Sequence, residues 1–200
     1  MSMKIEDKAV MLEGTQVVYG KKKFHTVPQS EEDPLLDEDL VRESYLPFCH
    51  KLIHVQDQKA TGTQGGAFNN GAWRTRTLNT ILTNEISGAS LAANQITLPS
   101  GTYYIEASAP AFRVSRHKAL LYNITDAANE IIGTSEISLN TGSYATTRSF
   151  IYGRFTIQSS KVFEIQHRGV ITRAVDGFGL AFGVGGVIEV YTDVKIWKVG

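Results

Sequence analysis

The stretch from Ile96 to Phe112, ITLPSGTYYIEASAPAF, constrains the fold more than any other part of this sequence. Apolar and polar residues alternate on both sides of Pro99-Ser100-Gly101, whose residue types favour a tight turn. After that turn, one face of the alternation carries Tyr103, Ile105, Ala107, Ala109 and Ala111. Such a pattern is typical of antiparallel strands that cover a core on one side only. The stretch therefore predicts a strand, a turn and a second strand.

The same alternation recurs towards the C-terminus. Further strands are predicted over residues 118–125, 131–139, 148–158, 161–168 and 187–199. In the last of them the pattern predicts a core face of Ile188, Val190, Thr192, Val194 and Ile196, and an opposite face of Glu189, Tyr191, Asp193, Lys195 and Trp197. Asn70-Gly71 predicts a hairpin within residues 67–76. Many short strands without amphipathic helices between them predict an all-β sandwich or barrel.

Residues 1–53 contain a larger fraction of charged residues and less glycine than the rest of the chain. A short helix is predicted from Asp37 to the residue before Pro47, because Asp37 can cap it and carboxylates follow in its first turn. The acidic run that precedes and enters this helix lacks the spacing and the glycine of a calcium loop. The sequence therefore predicts an N-terminal stem at 1–53 and a β-rich head at 54–200.

Composition excludes several classes of partner. The chain has 200 residues and a formal net charge of zero, so bulk electrostatics favour neither nucleic acid nor an anionic membrane as a partner. Its single cysteine, Cys49, excludes an intrachain disulfide framework and a multi-cysteine metal site. No segment approaches the ~20 apolar residues of a membrane span. We therefore expect a soluble product without membrane insertion.

Motifs for catalysis or cofactor binding are missing from the sequence. It contains no G-x-S-x-G, no phosphate-binding P-loop and no complete metal motif, since His50 and His54 lack a third ligand. The glycine-rich run GFGLAFGVGG at 177–186 is followed by a predicted strand, whereas a dinucleotide fingerprint is followed by a helix. The sequence predicts no enzyme, no cofactor and no metal.

Lengths of the connections predict which loops lie together. Residues 99–101, 126–130 and 159–160 form short joins, whereas 112–117, 140–147 and 169–186 form joins that are longer or richer in Arg, Gly and Asp. If successive strands run up and down, these two sets occupy opposite ends of the sandwich. Binding loops are then expected at the second end.

From about Val55 to Gly200 the sequence resembles the jelly-roll heads of the C1q and tumour-necrosis-factor type. LPSGTYYIEASAPAF resembles the third strand of such heads, RHKALLYNI the fourth, and EVYTDVKIWKV the closing strand. GAWRTRTLN and the run ATTRS…GRFT…FEIQHR resemble a version found at the ends of bacteriophage tail fibres. Upstream, VVYGKKKFHTVPQSEEDPLLDEDLV resembles the short shaft element of those fibres.

This resemblance implies a homotrimer in the virion whose N-terminus joins other tail or baseplate proteins and whose head attaches to a bacterial surface receptor, a glycan or a protein. Candidate receptor-binding residues at the loop end are Arg113, Arg116, His117, Tyr144, Arg148, Arg173 and Asp176. They supply the aromatic ring, planar donors and carboxylate that sugar recognition needs. Two alternatives stay open: a glycan-degrading tail protein, and a structural virion spike or adaptor.

Overall fold

The computed structural model describes residues 50–142 and 145–200. They belong to the second of two units into which the chain divides, Met1–Leu46 and Pro47–Gly200. The predicted stem helix, Cys49 and Tyr144 lie outside the described residues. The first strand begins at Lys51, so residues 51–53 belong to the β sandwich.

The described residues form eleven strands, and no helix among them is long and apolar enough to cross a membrane. The strands are β1 Lys51–Lys59, β2 Arg74–Thr75, β3 Thr80–Asn84, β4 Ser90–Ala92, β5 Gln95–Leu98, β6 Gly101–Phe112, β7 Ser115–Asn123, β8 Ala128–Ser138, β9 Thr146–Ile157, β10 Lys161–Gly169 and β11 Glu189–Lys198. The prediction of an all-β head is confirmed.

Two antiparallel sheets make a jelly-roll sandwich. The first sheet has the order β3-β1-β11-β6-β9, and the second has the order β4-β5-β10-β7-β8, with β2 paired to β10. Leaving aside β2, β3 and β4, consecutive strands change sheet at every connection except the β7–β8 hairpin, which is the double Greek-key pattern of a jelly roll. Distant parts of the sequence therefore meet as neighbours, for example β1 with β11.

The core between the sheets is built from the alternation seen in the sequence. Tyr103, Ile105, Ala107, Ala109 and Ala111 are all at most 4% exposed, which confirms the predicted core face of β6. The first four pack with buried residues of β7 and β10 in one core cluster, whereas Ala111 packs in a second, smaller cluster at the other end of β6. The tight turn at residues 99–100 returns the chain from β5 to β6.

One half of β11 contradicts the predicted faces. Thr192, Val194 and Ile196 are buried as expected, but Val190 is 37% exposed and Tyr191 is 3% exposed. The pairing of β1 with β11 shifts register between Gln56 and Gln58, which is the signature of a β-bulge. The bulge reverses the alternation, so that Tyr191 points inwards and Val190 outwards.

The predicted hairpin at Asn70-Gly71 is wrong. The two residues do form a turn, and Gly71 has a positive φ of 85°. Its flanks pair elsewhere, because Phe68 bridges to Arg173 and Arg74 pairs with His167 of β10. The turn thus connects two contacts with the same distant part of the chain.

The predicted sorting of the connections to two ends is confirmed. Gly101 pairs with Ile157 at one end of β6, and Phe112 pairs with Thr146 at the other. We call the first the proximal end and the second the distal end. Lys51 pairs with Lys198 at the proximal end. The join after β6 is shorter than predicted, since a two-residue turn with positive φ at Arg113 leads straight into β7.

Candidate functional site

A fully buried arginine ties the distal end together. The Arg76 guanidinium donates hydrogen bonds to Thr192 Oγ1 at 2.8 Å, to the Pro110 carbonyl at 3.1 Å and to the Phe178 carbonyl at 2.9 Å. It also lies 4.0 Å above the Phe178 ring. Burial lowers the pKa of Arg76 to about 9, although the nearby carboxylate of Asp57 opposes the shift. These contacts connect β6, β11 and the loop before β11.

Beside this arginine lies a buried histidine pair. His117 of β7 and His167 of β10 are 4% and 0% exposed, and Nδ1 of the first lies 3.0 Å from Nε2 of the second. His117 Nε2 also lies 2.8 Å from Thr147 Oγ1. The edge of the Phe68 ring packs against His167. His117 therefore serves internal structure and does not present its imidazole to a ligand.

Three other predicted site residues also make internal contacts. Arg148 lies in β9 and donates to Ser108 Oγ at 2.9 Å and to the Tyr191 carbonyl at 2.8 Å. Arg173 and Asp176 form a bidentate ion pair within one loop, with N···O distances of 2.9 and 2.8 Å. Their charges mainly fix the shape of the distal end.

Arg113 and Arg116 differ in how far they are engaged. Arg113 follows β6 in the turn and donates to the Asn140 carbonyl at 3.4 Å. Arg116 lies in strand β7, is exposed and points away from the core, because the next residue, His117, points inwards. Among the predicted site residues that the structure describes, Arg116 and His117 line an open cavity, and of these two only Arg116 is exposed.

That cavity is an open groove of about 590 Å³ on the outer surface of the second sheet. We call it the outer groove; it is lined by Trp73, Arg116, His117, Lys118, Ser135, Glu136, Ile137, Arg168, Gly169 and Val170. It lies across β7, β8 and β10 in their distal halves. Its size falls in the range of sites for small ligands.

The strand register arranges the groove in rows. Arg168 of β10 pairs with Lys118 of β7, which pairs in turn with Ser135 of β8. Trp73 immediately precedes Arg74, the partner of His167, and so lies beside Arg168. Arg116 is two residues from Lys118 on the same face, a diagonal spacing of roughly 7–8 Å from Arg168. An indole, two guanidiniums and an ammonium thus surround one depression.

Charge in the outer groove is unbalanced. Arg116, Lys118 and Arg168 supply three cations, and Glu136 supplies the one carboxylate of the lining. The Glu136 carboxylate accepts a hydrogen bond from Thr134 Oγ1 at 2.9 Å. Ile137 is 53% exposed and Val170 48% exposed, so an apolar surface lies next to the charges. This combination suits a ligand with an apolar ring face, hydroxyls and a negative group.

The outer surface of the first sheet has a different character. We call it the aromatic face; its members are Tyr104, Phe150, Tyr152, Arg154, Glu106, Lys195 and Trp197. Tyr104 packs against Trp197 with ring centroids 6.3 Å apart, and Phe150 stacks on Tyr152 at 5.7 Å. Tyr104, Phe150 and Tyr152 are 38%, 37% and 52% exposed. The prediction that Trp197 lies on an outward face is confirmed, whereas Tyr191 is buried.

Two carboxylates share a small cavity of about 170 Å³ on the aromatic face, those of Glu106 and Asp193. Asp193 Oδ1 lies 2.7 Å from His54 Nε2 and accepts a hydrogen bond of 2.6 Å from Gln56. Burial raises the pKa of Asp193, but these hydrogen bonds outweigh burial and lower it overall. In residues 50–142 and 145–200 no group of three or more His, Cys, Asp or Glu side chains is placed to hold a metal ion.

No protein-family model matches this chain, and no curated protein matches it in sequence. Solved structures do match its fold. A crystal structure of murine APRIL at pH 5.0 has a TM-score of 0.49 at 8% identity and covers 74% of this chain and 98% of that chain. The globular domain of zebrafish complement 1qA has a TM-score of 0.43 at 10% identity and covers 74% and 94%. The head is a jelly roll with tumour-necrosis-factor-like and C1q-like neighbours. Its assignment rests on the strand order, and likeness at this level says nothing of function.

Sequence reasoning missed most of the outer groove. Lys118 and Arg168 lie within strands that the sequence predicts, and residue type alone assigns a binding role to neither of them nor to Trp73. Alternation within β7 does place Arg116 and Lys118 on one face. The pairing of β7 with β10 that adds Arg168 and Trp73 is long-range, and no local pattern carries it.

Proposed function

We propose that this chain is the non-enzymatic receptor-binding tip of a bacteriophage tail fibre. It would act as a homotrimer in the virion and attach the particle to a bacterial surface receptor, a glycan or a protein. The observation that carries the proposal is that the outer surfaces of the two sheets differ in character. The first sheet presents aromatic residues suited to contact with other copies, and the second presents a polar groove that such contact would leave open.

The aromatic face has the composition of an interface between subunits. Tyrosine, tryptophan and phenylalanine are enriched at protein interfaces, and here they are interleaved with Glu106, Lys195 and Arg154. Both signs of charge occur on this one surface, so copies of the same surface can pair Lys195 or Arg154 of one chain with Glu106 of another. Exposed Val190 extends the apolar surface towards the distal end.

The position at which β1 begins supports the direction of attachment. β1 begins at the proximal end, where Lys51 pairs with Lys198, while the connections rich in Arg, Gly and Asp lie at the distal end. Residues 1–53, whose sequence resembles a fibre shaft, would join tail or baseplate proteins. Three weak sites per trimer and several fibres per virion would raise avidity without tight single contacts.

The experiment has two readouts on the full chain. Light scattering coupled to gel filtration measures the mass, and flow cytometry measures binding of the fluorescent protein to a panel of bacterial strains. We expect a trimer that binds some strains, and loss of binding when the segments 139–145 and 180–188 are exchanged for short linkers; this exchange keeps Phe178 on Arg76. A monomer at micromolar concentration contradicts the trimer, and a trimer that binds no strain but binds virion proteins identifies a structural adaptor instead.

A glycan-degrading protein is the other competitor. A glycosidase needs two carboxyl groups about 5–9 Å apart, one of them a general acid with a raised pKa. Glu106 and Asp193 share a cavity, but the pKa of Asp193 is lowered and its oxygen is already engaged. Appearance of reducing ends after incubation with purified capsule or lipopolysaccharide, and their loss in Glu106→Gln, would establish this activity against our proposal.

A further inference from the structure

We infer that the outer groove is a binding site for an acidic saccharide, a pyranose that carries a carboxylate or a phosphate. The inference deepens the proposed attachment role and rests on it only for the source of the saccharide. None of Trp73, Lys118 and Arg168 was predicted as a site residue. The groove itself lies on the side of the sandwich, beside the distal loops.

In the part of the chain that the structure describes, the cationic side chains of the outer groove form no ion pairs with carboxylates. In the described part of the chain, Arg173 is paired with Asp176 and Lys161 with Asp126, whereas no carboxylate pairs with Arg116, Lys118 or Arg168. Arg116 and Arg168 are both exposed and belong to neighbouring strands. Two guanidiniums at diagonal positions can bind one anionic group through charge-assisted hydrogen bonds.

Trp73 supplies the second element of sugar recognition. The half-buried indole lies beside Arg168 at the groove wall, next to the turn at Gly71. An aromatic ring offers a flat apolar surface to the C–H face of a pyranose while its neighbours bind the rim. Ser135 of β8 pairs with Lys118 on the same outward face, and its hydroxyl can donate or accept hydrogen bonds with sugar hydroxyls.

The charge of the groove selects the ligand. A neutral sugar would leave the net positive charge of the groove uncompensated, whereas one anionic group on the ring brings the site closer to balance. The groove also lies on the second sheet, away from the aromatic face that we assign to contacts between copies. A bound saccharide and a trimer are therefore compatible.

Binding is tested by calorimetry on the full chain with two matched pairs of probes. Galacturonate trisaccharide is compared with galactose trisaccharide, and maltotriose 6-phosphate with maltotriose. We expect at least one acidic probe to bind about tenfold or more tightly than its neutral partner, and to weaken as ionic strength rises. The probe pair with the larger ratio of acidic to neutral affinity shows whether the groove prefers a carboxylate or a phosphate. Equal affinities within both pairs would overturn the inference.

Variants locate the site. Arg168→Gln and Arg116→Gln remove one exposed cation each, and we expect each to weaken the acidic probe about tenfold, the value of one charge-assisted hydrogen bond. Lys51→Gln removes an exposed charge at the proximal end and serves as the matched control. Affinity that is unchanged in Arg168→Gln, or reduced equally in Lys51→Gln, contradicts a site in the groove.

Intrinsic fluorescence adds a readout that a purely structural role would not move. The chain has two tryptophans, so in a Trp197→Phe background the emission comes from Trp73 alone. We expect the acidic probe to change that emission with the same affinity that calorimetry gives. If the emission does not change when the probe binds, Trp73 does not stack on the sugar.

If probes bind but bacteria do not, the attachment role fails and the groove stands. If bacteria bind equally well to Arg168→Gln, attachment stands and the groove fails.

Discussion

His117 and His167 share one hydrogen bond inside the sandwich, with Nδ1 of the first 3.0 Å from Nε2 of the second. Such a bond needs at least one neutral ring, because both nitrogens of an imidazolium are donors. Burial, together with the positive charge of Arg76, lowers the pKa of His117 to about 4 and that of His167 well below its usual value. Both rings therefore stay neutral where exposed histidines begin to protonate.

The pair makes stability depend on pH. In the unfolded chain both histidines bind protons as the pH falls through about 6.5, while the folded chain keeps His117 neutral down to about pH 4. The unfolded state then binds more protons, so the free energy of unfolding falls from pH 6.5 towards 4. Each neutral histidine contributes a slope of up to about 1.4 kcal/mol per pH unit. Urea unfolding at fixed protein concentration between pH 4 and 8 measures how the free energy of unfolding changes with pH.

Two histidine variants test whether the buried pair causes that dependence of stability on pH. His167→Gln removes one titrating group and should flatten the dependence on pH, even if its stability at pH 7 is lower. His50→Gln replaces an exposed histidine and should keep the slope of the parent chain. A slope that survives in His167→Gln would show that other groups, such as the ion pair of His54 with Asp193, control the pH response.

Arg76→Met should destabilise the chain by about 3–5 kcal/mol. Methionine fills part of the volume but leaves the Pro110 and Phe178 carbonyls without their donor. It also removes the Arg76 charge that acts on the buried Asp57, which among the described residues keeps only its ion pair with Lys59. Arg116→Met replaces an exposed arginine and should stay within about 0.5 kcal/mol of the parent. Chemical denaturation at pH 7 compares them. Equal stability of both variants would show that the distal end does not depend on the Arg76 anchor.

Local alternation was enough to predict the seven strands from β5 to β11 and the core face of β6, but not β1, β3 or β4. The alternation works there because Tyr103 to Ala111 lie in one uninterrupted ladder with β9, so that every second residue points inwards. It failed at Tyr191, because Tyr191 and Thr192 of β11 both lie opposite the single residue Asp57 of β1, and this bulge in β11 reverses its faces. A bulge depends on the pairing of strands that are more than a hundred residues apart, and the sequence of β11 does not record it.

The candidate site shows the same limit. Arg113, Arg173 and Asp176 were correctly expected at the distal end, but their internal partners could not be read from residue type. The groove depends on the neighbourhood of Arg116 and Arg168, which lie in strands joined only by long-range pairing. Residue types that are suited to sugar binding are equally suited to fixing loops, and only the geometry separates the two uses.

Neighbouring residues of β6 should respond in opposite ways to the same substitution. Ile105 is fully buried between the sheets and Tyr104 lies on the aromatic face. Ile105→Asp buries an unpaired charge and should abolish soluble folded protein. Tyr104→Asp should fold, with an unchanged circular dichroism spectrum, but shift the mass from trimer to monomer. A folded trimeric Ile105→Asp contradicts the core assignment, and a trimeric Tyr104→Asp contradicts the proposed interface.

Gly179→Ala should destabilise the distal end through a clash with Tyr191. A Cβ atom at Gly179 would lie 2.4 Å from the Tyr191 ring, which is held by its own hydroxyl bond to the Thr63 carbonyl at 2.6 Å. Gly179 also has a positive φ of 141°, so an added side chain strains the backbone as well. Overpacking of this kind costs about 1–3 kcal/mol, beyond the strain.

Gly142→Ala is a control that distinguishes the steric clash with Tyr191 from the backbone strain of a positive φ. Gly142 has a positive φ of 70°, and among the described residues no atom lies within 4 Å of a Cβ atom placed there. Its substitution should therefore carry the backbone strain alone, and the thermal midpoint of Gly179→Ala should fall clearly below that of Gly142→Ala. If the two midpoints coincide, the Tyr191 ring has moved aside, and the loss of its bond to Thr63 should then appear as faster hydrogen exchange in residues 60–66.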